Sequence, residues 1–159
     1  MQKLIMIAGE AWTGKSTCAK LLYEHFNNSA WLDGDDVWRV NPFDVNEKRL
    51  RNSDLNMAFV VDNYLKSKFD YVFFSSIVLC DKAIRERIIS FIEYKDYEKI
   101  LITLYANEET LKQRAKERDN NNDPKFMLLK RSLAQESIFI NTATNSLQET
   151  VKQIVEIVS

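Results

Sequence analysis

Residues 9–16 read Gly9-Glu10-Ala11-Trp12-Thr13-Gly14-Lys15-Ser16, a G-x-x-x-x-G-K-[ST] run. The spacing suits phosphate capture. Successive backbone N–H groups turn inward to form a concave anion site, and the following helix adds its own unpaired N–H groups and partial positive charge. Gly9 and Gly14 allow the tight turn and a close backbone approach. Lys15 can reach β- and γ-phosphates, the Ser16 hydroxyl can ligate Mg2+, and Thr13 and Thr17 complete the cradle. Trp12 lies inside the loop, where its ring is expected at the cleft. The chain has three glycines, two of them here and the third, Gly34, in the next motif.

That motif is Asp33-Gly34-Asp35-Asp36. Carboxylates this close repel one another, so a cation or a set of donors must offset the cost. Beside a phosphate loop they have work to do. Asp33 can hold Mg2+ through water, and Asp35 can orient or deprotonate an acceptor hydroxyl. The competing reading is an acidic surface turn. Arg114 and Arg118 stand four apart on one helix and share a face, which is favourable when an anion lies between them. Asp36, Trp38, Arg39 and Arg51 flank the expected acceptor pocket, and Arg131 could swing in with a lid.

The flanks place these groups. Leu4-Ile5-Met6-Ile7-Ala8 reads as a buried strand within 2–8, followed by a helix over 15–27. A short strand, Ala30-Trp31-Leu32, delivers the aspartates. A long helix is expected from about Val45 to Lys66, then a strand from Tyr71 to Val78, a helix capped by Asp81, and a strand over 99–105. A polar helix over 107–118, a tip at 119–124, a helix from Phe126 to Gln135, a strand over 137–140 and a last helix opened by the box Ser146-Leu147-Gln148-Glu149 follow. Strands alternate with helices and are mostly continuous apolar runs. This predicts an α/β fold, a parallel sheet covered on both faces, with ligands at the carboxyl ends of its strands. One domain over 1–159 is expected, with 44–67 as a helical acceptor-side segment and 114–131 as a lid.

The totals narrow the function. The 159 residues carry a net charge of −1 with 45% apolar and 28% charged residues, so no basic excess points to nucleic acid or an acidic membrane. No apolar run nears the ~20 residues of a membrane span. The N-terminus lacks a secretory pattern, so a cytoplasmic location is expected. Cys18 and Cys80 give no metal spacing and His25 is the lone histidine; all three are read as structural.

With these residues in place, the chain resembles the small P-loop kinases, a group that includes shikimate, gluconate and adenylylsulfate kinases and chloramphenicol phosphotransferase. The phosphate loop (the Walker A pattern) carries over onto Gly9 to Thr17. Leu32 to Asp36 looks like the group's aspartate motif, and Leu111 to Arg118 like its L-x-x-R-x-x-x-R lid-entry helix, which places Arg114 and Arg118 on nucleotide and transferred phosphate. Ile140 to Asn145 looks like the segment that lines the adenine pocket. The resemblance implies a three-layer P-loop NTPase sandwich with strand order 2-3-1-4-5, ATP and Mg2+, and phosphoryl transfer to a small-molecule acceptor by a monomer or homodimer.

Two departures stand out. Ser75-Ser76 ends the third strand where many P-loop proteins have a metal-binding aspartate, and no glycine loop follows it. The first supports an alternative, a catalytically reduced nucleotide-binding module or sensor. A signalling GTPase is disfavoured because no N-K-x-D motif follows the fourth strand, and an ATPase motor because no acidic pair ends a strand.

Overall fold

The computed structural model describes residues 1–159. Its frame is a five-stranded parallel sheet of β1 (Gln2–Ala8), β2 (Ser29–Asp33), β3 (Tyr71–Ser75), β4 (Tyr97–Tyr105) and β5 (Ile138–Asn141), in the order β2-β3-β1-β4-β5. The expected strand order is observed.

The central strand shows why both faces are covered. Alternate side chains of a strand point to opposite faces. Leu4, Met6 and Ala8 enter a cluster with Met57, Val61, Leu65, Leu79 and Ile88, so α2 (Ser53–Lys66) and α3 (Lys82–Ser90) cover that side. Ile5 and Ile7 enter a second cluster with Cys18, Leu22, Ile154 and Val158, so α1 (Lys15–His25) and α6 (Leu147–Val158) cover the other. Residues 4–8 of β1 are at most 3% exposed. A strand buried on both faces has no polar alternation to show, which is why it reads as a continuous apolar run.

The polar α4 (Glu108–Asp119) buries only Leu111 and Ala115, and the short α5 (Leu129–Ala134) follows it. Helix starts are set by side-chain caps. Asp81 Oδ1 accepts from Ile84 N at 3.2 Å, Asn107 Oδ1 from Thr110 N at 2.8 Å and Ser146 Oγ from Glu149 N at 3.1 Å.

Four elements are shorter than expected, the first being the helix placed over 15–27, which ends at His25. The helix placed from Val45 begins at Ser53, after a 3₁₀ turn at Lys48–Asn52. Asp44 Oδ1 accepts from Asn46 N at 2.8 Å and Glu47 Oε1 from Arg49 N at 3.1 Å, local side-chain bonds that compete with helix. The strand placed to Val78 ends at Ser75. Ser76 Oγ accepts from Val78 N at 3.3 Å and turns the chain into a 3₁₀ turn at Ile77–Cys80. The helix placed over Phe126 to Gln135 is confined to α5.

Gly34 marks where β2 hands over to the aspartates. A Cβ there would lie 2.7 Å from Ser76 Oγ and 2.8 Å from Ser76 Cβ. Gly34→Ala is therefore expected to cost about 1–3 kcal/mol as an overpacked site, read as a lower denaturant midpoint at unchanged slope.

Candidate active site

The loop between β1 and α1 is fixed by backbone conformations that most residues avoid. Gly9 has φ +153°, and a Cβ there would lie 2.6 Å from the Leu104 carbonyl oxygen. Gly14 caps α1 with φ +92°. No side chain caps this helix and its first turn carries no acid, so its leading N–H groups face the loop's concavity without a competing acceptor. Ser16 and Thr17 are exposed there.

Glu10 organises the loop from within. Its carbonyl accepts from Thr13 Oγ1 at 2.8 Å, Thr13 N at 3.3 Å and Lys15 Nζ at 3.0 Å. Its side chain is buried at 2% exposure, and the carboxylate accepts from Ala11 N at 2.8 Å and Leu128 N at 2.7 Å. The phosphate loop is thus tied to the chain just before α5. Gly9 N donates to Cys80 Sγ at 3.2 Å, so Cys80 supports the loop as well as filling core; burial pushes its thiol up to about 11.

Trp12 is a non-glycine residue at φ +64°, a conformation that needs outside support. Its indole Nε1–H donates to Asp119 Oδ2 at 2.7 Å and its carbonyl accepts from Arg114 at 3.1 Å. Its ring meets Phe126 edge-on at 6.2 Å. Arg114 spends its other donors on Thr142 Oγ1 at 3.0 Å and the Thr142 carbonyl at 2.7 Å. It therefore braces the loop against the segment after β5.

Three cavities meet along the carboxyl ends of the strands. The first, of about 450 Å3, runs from Gly14, Thr17 and Leu104 to Arg118, Thr142, Asn145 and Leu147. The second, of about 480 Å3, holds Lys15, Ser16, Asp33, Asp35, Ser76 and Arg118. The third, of about 460 Å3, is walled by Asp35, Trp38, Arg39, Val40, Asn41 and Phe43. Arg118 borders the first two, and Asp35 borders the second and third.

Asp33 Oδ1 accepts from Asp35 N at 3.1 Å and so sets the aspartate turn. Partial burial in the cleft and the neighbouring Asp33 push the Asp35 carboxyl above its usual value, while Lys15 and Arg39 pull the other way. Burial lowers the Lys15 ammonium, opposed by carboxylates that include Glu10, Asp35 and Asp33. Ser75 Oγ accepts from Trp31 Nε1 at 3.0 Å inside the fold, and only Ser76 of the serine pair faces the second cavity.

The other expected site residues spread out. Asp36 pairs with Arg39 at 2.8 Å and is exposed, lining none of the three cavities. Arg51 and Arg131 border a separate, mainly apolar cleft of about 60 Å3 with Leu50, Ile84 and Met127. Arg51 lies 3.6 Å from the buried Asp54, with Arg51 NH1 and Asp54 Oδ1 both lacking a hydrogen bond, and Arg131 donates to Asp81 at 3.1 Å. Glu10 and Phe43 did not register as site residues in the sequence. A carboxylate inside an anion-binding loop was the available signal for Glu10; nothing local distinguished Phe43.

The chain superposes over nearly its whole length on solved structures. A tunicamycin resistance protein from Deinococcus radiodurans matches with a TM-score of 0.73 at 18% identity, covering 100% of this chain and 96% of that one. An APS kinase from Mycobacterium tuberculosis in complex with AMPPNP and APS matches at 0.71 and 12% identity, covering 98% and 96%. The fold is that of the small P-loop kinases. A shikimate kinase from Acinetobacter baumannii in complex with shikimate matches at 0.64 and 19% identity, covering 99% and 93%. No family model matches the sequence, and no curated protein matches it.

The Glu10 clamp is testable without turnover. Glu10→Ala leaves the buried Leu128 N–H unpaired, at an expected cost of about 1–3 kcal/mol. Trypsin is expected to cut at the exposed Lys125 faster in this variant than in the parent, measured under conditions where both are folded.

Proposed function

We propose that this protein is an ATP-dependent small-molecule kinase that passes the γ-phosphoryl group to an acceptor hydroxyl. The observation that carries this reading is the position of Asp35, on the wall between the cavity of Lys15 and Ser16 and the cavity of Trp38 and Phe43. A carboxylate between a donor site and an acceptor site is where phosphoryl transfer needs a base. The kinase fold supports the same reading.

The roles follow from the geometry. The nucleoside occupies the cavity of Leu104, Thr142 and Leu147, and its phosphates lie against the loop from Gly9 to Thr17, with Trp12 and Thr13 in the wall and Arg114 bracing it. The acceptor oxygen attacks the γ-phosphorus while the bond to the β–γ bridging oxygen breaks. ADP leaves with that electron pair, and the hydroxyl proton passes to Asp35. Lys15 and Arg118 stabilise the charge spreading over the transferred oxygens. Ser16, Asp33 and Asp35 give the second cavity an oxygen-only donor set, which suits Mg2+ brought in with the phosphates. Bound there, the ion would neutralise phosphate charge, with Ser16 and Asp33 its protein-side holders. Arg39 lines the acceptor side, its charge offset by its exposed partner Asp36.

Ser76 at the end of β3, in place of an aspartate, favours a second reading, a nucleotide-binding module without catalysis. The two separate in one assay. ADP production from Mg·ATP is measured with and without a deproteinised extract of small metabolites, with Lys15→Ala as the blank. Acceptor-dependent ADP supports the kinase; ATP binding with no ADP from any extract supports the module.

Asp35→Asn is expected to lower turnover by about 10²–10⁴-fold with ATP affinity unchanged, by kinetics and equilibrium binding. Because the Asp35 carboxyl is raised, it holds its proton to a higher pH than an ordinary aspartate. Activity is therefore expected to fall as pH drops through that raised value, an acid limb that Asp35→Asn removes. Arg118→Ala is expected to lower turnover by roughly ten-fold or more, read as a loss in kcat.

A further inference from the structure

We propose that the acceptor is an uncharged hydroxyl compound with a planar or apolar body, seated between Trp38 and Phe43 beside Asp35. This rests on the kinase reading and names the substrate class of the same site.

Two observations carry it. The first is the wall. Val40 and Phe43 are 43% and 52% exposed at the mouth of the acceptor cavity, and Trp38 stands beside them. Large apolar side chains gathered at a cavity rather than scattered mark a surface that a ligand covers. An aromatic pair of this kind rewards a flat or apolar body and gives little to a bare polyol.

The second is charge. Asp35 stands at the boundary of the two cavities, Asp33 lines the phosphate cavity beside it, and Lys15 belongs to the phosphates. The one cation lining the acceptor cavity, Arg39, already donates to Asp36 at 2.8 Å. Arg51 and Arg131 border neither the acceptor nor the phosphate cavity and pair with Asp54 and Asp81. Mg·ATP is itself anionic and adds to the negative side. An acceptor carboxylate, sulfate or phosphate here would meet like charge beside a single cation whose charge Asp36 already offsets, which disfavours it against a neutral acceptor.

The test uses the full chain with Mg·AMPPNP bound. A matched pair of probes shares one body, 3-phenylpropane-1,2-diol and its acidic counterpart phenyllactate, with glycerol as the polyol lacking an apolar body. Calorimetry is expected to show the diol binding at least about ten-fold more tightly than phenyllactate or glycerol, the discrimination expected of one unpaired like charge or one lost aromatic contact. Trp38→Ala is expected to abolish the preference over glycerol, and to leave the charge-based preference over phenyllactate, while AMPPNP affinity stays unchanged. Phe43→Ala, a change in an exposed loop, repeats the test if Trp38→Ala does not fold.

In parallel, the metabolite extract is passed over anion and cation exchangers and an apolar resin, and each fraction is assayed for ADP. The acceptor is expected to flow through both exchangers and to be retained by the resin. Phenyllactate or glycerol binding as tightly as the diol overturns the proposal, as does acceptor activity eluting from either exchanger or binding by none of the probes. Diol binding with the expected preference, but no ADP from any fraction, overturns the kinase reading and leaves the ligand class standing.

Discussion

The leading N–H groups of α1 meet no side-chain acceptor, and most of the molecule can be read as the means of keeping them that way. An uncapped helix start is a liability unless an anion completes it. Holding one open needs rigid backbone on both sides. β1 supplies it from the centre of the sheet, and Gly9 is pressed against the Leu104 carbonyl so closely that no side chain fits. The Glu10 carbonyl keeps Lys15 beside the loop, and Cys80 receives the Gly9 N–H. These contacts come from β1, β4 and the end of β3, so the phosphate site is a property of the sheet as a whole.

Against that positive end stands a group of carboxylates at the end of β2. Their mutual repulsion is eased by Lys15 on one side and Arg39 on the other, and by the donation of Asp35 N to Asp33. The arrangement leaves Asp35, its carboxyl raised by partial burial and by Asp33, between two cavities with different walls. The polar cleft of the loop and the aromatic wall beyond it share only Asp35 and Phe43.

The sheet was legible because its strands are buried on both faces, and Leu4 to Ala8 can belong to little else than a central parallel strand. The phosphate loop and the aspartate turn were legible because glycine is so scarce in this chain that its positions carry information. What could not be read were contacts between distant segments. The apolar spacing of α2 is real, but the side chains of Asp44 and Glu47 bend the preceding chain into turns, a choice between two local bonding patterns that spacing does not decide. Arg114 and Arg118 look alike on their helix, yet the position of the segment after β5 occupies one of them with Thr142 and leaves the other at the junction of two cavities. Arg131 finds a carboxylate at Asp81, a pairing set by how α5 lies against the start of α3, whereas Arg51 meets Asp54 three residues on along its own turn.

The two bonds that tie the loop to the segment beyond α4, from Trp12 to Asp119 and from Leu128 to Glu10, lie at either end of a short excursion of the chain. A flap hinged at one end swings as a body; a strip fixed at both ends can only bow. Its conformational entropy is lost largely when the chain folds rather than when nucleotide arrives. Glu10 and Trp12 therefore hold both the anion site and the strip beside it.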